Sequence, residues 1–107
     1  MTHHLFEQNR LRDLEHLVAG LVAERLSERP GERGWTAEEL LADASLCRTD
    51  FALLGLGSLD WMALATQVEK RSGAELTDEA LLESEQRTVA GWAACLLSQG
   101  PLPAEPA

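Results

Sequence analysis

Between Gln8 and Glu28 apolar residues fall at Leu11, Leu14, Leu17, Val18, Leu21, Val22 and Leu26, the three-and-four spacing of a helix with one buried face. Pro30, Gly31 and Gly34 then break the period and mark a turn. Thr36 followed by Glu39 has the form of a capping box, so a short helix is predicted from Thr36 to about Ala42. A long loop follows, up to Gly57. Ser58 stands where the next helix begins, and Trp61, Leu64, Ala65 and Val68 share one face until Gly73 supplies a stop. Thr77 and Asp78 cap a short acidic helix through Leu82. Thr88 caps a last helix in which Val89, Trp92, Ala93 and Leu96 share a face, ended by Gly100 and Pro101. No stretch alternates with period two over a strand's length, so the prediction is an all-α bundle.

At 107 residues, 45% of them hydrophobic, the chain closes one modest core. Residues 1–99 are read as the domain. The tail 100–107, GPLPAEPA, carries too little apolar surface to bury and is expected to be disordered. Eighteen acidic residues against nine basic ones leave a net charge of −9. Such a surface repels nucleic acid and anionic membranes and favours partners with basic patches. Cys47 and Cys95 are too few for a disulfide framework and lack metal-ligand spacing, so both are read as reduced thiols in or near the core. The N-terminus has no apolar signal core, and no apolar run approaches the roughly 20 residues a membrane helix needs. A cytoplasmic protein is expected.

Little in the chain suggests catalysis. The elbow pattern GxSxG fails around Ser58, because Leu56 and Asp60 stand two residues to either side. Of three histidines, His3 and His4 lie at the N-terminus and His16 on the first helix, where solvation or packing is their ordinary role. LGLGSL lacks the lysine with which a P-loop reaches phosphate. Glu75, Asp78, Glu79, Glu83 and Glu85 are dispersed as a solvated face would be, so neither a catalytic residue nor a metal ligand is assigned.

The segment Asp50 to Leu59, DFALLGLGSL, closely resembles the attachment motif of acyl and peptidyl carrier proteins, with Phe51, Leu54, Gly55, Ser58 and Leu59 at the motif positions. The order of elements is similar too, over about Leu11 to Ser98. The resemblance implies a four-helix carrier bundle whose long first loop holds an extra short helix. It further implies that Ser58 receives 4′-phosphopantetheine from coenzyme A through a phosphopantetheinyl transferase. Leu59, Asp60 and Met62 would then be the contacts felt by that transferase and by the loading and modifying enzymes of a pathway.

The function so implied is a stand-alone, monomeric carrier of acyl or aminoacyl thioesters in a specialised pathway, polyketide, nonribosomal peptide or related. The alternative is a degenerate, unmodified carrier-like domain acting as an interaction module. Gly57 keeps that alternative open: acyl carriers commonly have Asp at this position, associated with the metal ion of arm transfer, and peptidyl carriers often have His. Asp60 is the nearby acid that could take that part. The second long helix also has few acids, only Asp60 and Glu69, unlike fatty-acid carriers. Trp61 is bulky enough to fill interior volume beside the arm, which favours a short, polar or aminoacyl cargo.

Overall fold

A computed structural model describes residues 2–29, 31 and 34–99, with side chains from residue 8 onward. Pro30 and the tail 100–107, including the stop predicted at Gly100 and Pro101, lie outside the described residues. Among the described residues six helices follow in order: α1 Thr2–Ser27, α2 Ala37–Leu41, α3 Ala44–Cys47, α4 Ser58–Ser72, α5 Asp78–Leu82 and α6 Val89–Gln99. No strand occurs among the described residues.

α1 is the spine of the bundle, packed on α2, α4 and α6. Leu14, Val18, Leu21, Val22 and Leu26 form its buried stripe, as the spacing predicts. The helix begins at Thr2 instead of near Gln8 because no glycine or proline interrupts the chain before Gly20. Against α1 lie Leu64, Ala65 and Val68 of α4 and Val89, Trp92, Ala93 and Leu96 of α6, all buried. Each large aliphatic chain so covered contributes about 1.5–3 kcal/mol. Phe51 and Trp92 meet edge to face, with centroids 4.8 Å apart and planes at 82°. The Trp92 indole N–H donates to the Ala80 carbonyl at 2.7 Å, which satisfies a polar group that is otherwise costly to bury and fastens α5 to α6.

Local chemistry sets the helix boundaries. At α2, Thr36 Oγ1 accepts from the Glu39 amide at 3.2 Å while Glu39 Oε1 accepts from the Thr36 amide at 3.0 Å, completing the predicted box. Thr77 accepts from the Ala80 amide at the head of α5, and Thr88 from the Gly91 amide at the head of α6. Gly73 closes α4 at φ 75°, in the left-handed region open to glycine. The long loop holds two short helices, one more than predicted. The second, α3, is nucleated by Asp43, whose Oδ1 accepts from the amides of Ser45 and Leu46. One turn without a buried residue leaves no periodic trace in a sequence.

Candidate functional site

The segment before α4 is a tight coil whose apolar residues face two ways. The Leu53 and Leu54 amides both donate to the Asp50 carbonyl, and the Leu56 amide returns to the Phe51 carbonyl at 3.0 Å. Phe51 and Leu56 are thereby sunk into the core, while Leu53 is 79% exposed. Gly55 makes the coil possible: its φ is 100°, and an added Cβ would collide with the Arg29 guanidinium, which approaches from the end of α1. Arg29 Nη1 donates to the Leu54 carbonyl at 3.5 Å.

Ser58 is exposed as the first residue of α4. The helical ladder starts with the Trp61 amide on the Gly57 carbonyl, so the amides of Ser58, Leu59 and Asp60 precede it. Gly57, in the N-cap position with extended backbone, has no side chain to cover them. Asp60 does half of a capping box: its Oδ2 accepts from the Gly57 amide at 3.0 Å. Its Oδ1 accepts from Arg25 Nε of α1 at 3.3 Å, a partly exposed pair that ties the start of α4 to α1. Both oxygens of the acid two residues after Ser58 are therefore engaged within the chain. Leu59 and Met62 flank the serine and are 83% and 54% exposed.

Trp61, on the buried stripe by its spacing, is only half-buried. One face of its ring is covered by the Arg87 guanidinium, 4.6 Å from the ring centroid. Arg87 also grips Asp50 with two bonds, Nε to Oδ1 at 2.9 Å and Nη2 to Oδ2 at 3.0 Å, and donates from Nη1 to the Leu81 carbonyl at 3.1 Å. Its own carbonyl accepts from the Phe51 amide at 3.0 Å. The pair is shielded, with side chains 14% and 11% exposed. The hydrogen bond from Arg87 holds the Asp50 carboxyl below its ordinary value, against the opposing effect of burial, and Asp50 in turn raises Arg87. One side chain thus joins the motif coil, α4, the end of α5 and the approach to α6.

Ser58, Leu59, Asp60 and Met62 are brought together at one end of the bundle, as their position in the first five residues of α4 requires. Arg25, Arg29 and Arg87 are the neighbours that periodicity does not reveal. Asp60 standing three residues after Gly57 was a local capping signal; its pairing with Arg25, 35 residues away, had none. Cys47 and Cys95 are free thiols packed against the core. Burial, with Glu15 and Asp43 nearby, pushes the Cys47 thiol up. No group of side chains suited to a metal ion occurs among the described residues, and no helix among them is long and apolar enough to cross a membrane.

No curated protein and no solved structure matches the chain. Residues 16–96 match the model of a family described as the phosphopantetheine attachment site. The match runs from the middle of α1 into α6 and contains the whole coil and α4. The chain belongs to this family, whose domains bear 4′-phosphopantetheine covalently and work with phosphopantetheinyl transferases and pathway enzymes as carriers, not as catalysts.

Proposed function

We propose that Ser58 is the attachment residue and that the protein is a stand-alone carrier of thioester intermediates in a specialised biosynthetic pathway. The observation that carries this reading is an exposed serine at the first position of α4, beside uncovered helix amides and two exposed apolar residues, within a matched carrier domain. The site suits the group it would bear. A phosphodiester is an anion, and the amides of the first turn and the positive end of the helix favour one there. Gly57 adds no bulk beside the hydroxyl: even an added Cβ would meet only Asp60 Oδ2, at 3.8 Å.

Loading transfers a phosphopantetheinyl group from coenzyme A. Ser58 Oγ forms the new bond to phosphorus, the bond to 3′,5′-ADP breaks, and the hydroxyl proton is lost to the base that assists the transfer. When attached, the arm supplies a terminal thiol that holds an acyl or aminoacyl group. What this chain adds is position, through the coil that presents Ser58, and recognition, through Leu59 and Met62. The role of Asp60 follows from its bonds: it orders Gly57 and the serine's helix turn, and partners meet it through its exposed edge.

A specialised pathway is supported by the exposed side of α4. Its two acids are both engaged internally, Asp60 as above and Glu69 with the Leu76 amide at 2.9 Å, which leaves Leu59, Met62, Thr66, Gln67 and Lys70 facing outward. Partners that rely on a run of carboxylates along this helix find only these two, both already bonded within the chain. Residues 1–99 are taken as the carrier domain, acting as a monomer in the reducing cytoplasm, in keeping with two unpaired cysteines.

The test is the intact mass after incubation with coenzyme A, Mg²⁺ and a broad-specificity phosphopantetheinyl transferase. A gain of one phosphopantetheine, absent from Ser58→Ala, is the expected result. No gain with several transferases refutes the reading and leaves an unmodified interaction module.

A further inference from the structure

We propose that Arg87 determines cargo specificity: by bridging α4 and α5 one helical turn beyond Ser58 it denies the protein interior to a long apolar chain, so that cargo stays in solvent. This rests on Ser58 being the attachment residue. A tethered alkyl chain gains by leaving water in proportion to the apolar surface it hides, so an accessible interior would draw it in. Trp61 stands one helical turn after Ser58, and its ring is covered by Arg87, which reaches on to the last turn of α5 through the Leu81 carbonyl. Passage between α4 and α5 at this end therefore means moving Arg87.

That movement is opposed by the paired bonds to Asp50, which lie largely out of solvent and are little screened by salt. Releasing them would leave the Asp50 carboxylate buried without its partner. The space next to the bridge is already filled. Phe51, whose amide binds the Arg87 carbonyl, and Trp92, whose indole binds the Ala80 carbonyl beside Leu81, meet edge to face, and both are fully buried, as are Leu64 and Ala80. A chain entering there must displace aromatic side chains as well as a guanidinium. The cargo class that needs no such shelter is short, polar or aminoacyl.

Acetyl- and octanoyl-coenzyme A loaded onto the protein by a broad-specificity transferase give two thioesters that differ only in chain length. Their rates of cleavage by hydroxylamine report the fraction exposed. In the parent protein the two rates are expected to agree within about twofold; an octanoyl thioester cleaved more slowly than that overturns the proposal. In Arg87→Met, which keeps an apolar cover for Trp61 but releases Asp50 and Leu81, the octanoyl rate is expected to fall at least about threefold relative to acetyl. An unchanged ratio in folded Arg87→Met also overturns it. Should Arg87→Met not fold, judged by circular dichroism, Asp50→Asn, which weakens the same grip, is read by the same criterion.

Binding of free S-octanoyl-pantetheine to the unloaded proteins, followed by tryptophan emission, decides the matter without loading: binding to the variant and not to the parent supports the bridge, and equal behaviour refutes it. A failure of the protein to gain mass at all counts against Ser58 as the attachment residue, not against the bridge.

Discussion

Replacing Gly55 by alanine tests whether the coil before Ser58 is held by its backbone or by its neighbours. At φ 100° the residue sits where an L side chain is strained by about 1–3 kcal/mol. The added Cβ also meets the Arg29 guanidinium, but that is the far end of a flexible side chain whose hydrogen bond to the Leu54 carbonyl is long, at 3.5 Å. Arg29 can swing aside at a cost of about 0.5 kcal/mol, the low end for a hydrogen bond. Alanine restricts the unfolded chain, which returns about 0.4–1 kcal/mol. The net loss is about 0.5–3 kcal/mol, or a Tm lower by about 2–24 °C in a domain of this size. Differential scanning calorimetry of the parent, Gly55→Ala, Arg29→Ala and the double variant separates the causes. With backbone strain dominant, the coupling between the two sites is below about 0.5 kcal/mol. A Gly55→Ala protein as stable as the parent, or one rescued almost fully by Arg29→Ala, would refute the reasoning.

Gly91→Ala contrasts with it, because there an added Cβ runs into the backbone of Gln86, with the Gln86 Cα at 3.0 Å. Backbone cannot swing away, so a loss of about 2 kcal/mol is expected in urea titration despite the better helix propensity of alanine. Asp50→Asn changes the acid side of the stability curve. The folded-state carboxyl is depressed by Arg87, so its contribution is complete above the unfolded value near pH 3.9 and is lost as pH falls through the folded value. The stability gap between parent and variant is therefore level from about pH 5 to 7 and narrows below about pH 4; a gap that stays constant in acid contradicts the assignment. Cys47, pushed up chiefly by burial, should be alkylated by iodoacetamide at pH 8 more slowly than a free cysteine, and denaturant should abolish the difference.

Most of the helix map was legible in the sequence because its signals are local. The Thr36 and Glu39 box, the Thr77 and Thr88 caps and the Gly73 stop each act within a few residues. The presentation of Ser58 was legible for the same reason, as was the exposure of Leu59 and Met62, since the opposite face of α4 carries the apolar stripe. α3 escaped because one capped turn has no period to detect, and the early start of α1 because a helix continues until something breaks it.

Spacing and composition by themselves determined that this chain forms helices, where α2, α4, α5 and α6 begin, and that a serine heads the second long one. Only the tertiary structure decided what surrounds that serine. Asp50 and Arg87 lie 37 residues apart, and Arg25 and Asp60 lie 35 apart, so no helical or strand period relates them. Their partnership exists because packing α1, α4 and α6 on a common core brings distant segments to one end of the bundle. Trp61 shows the difference most directly: its place in the stripe is a matter of a period near 3.6, whereas whether it is sealed or open depends on an arginine that arrives from elsewhere in the chain.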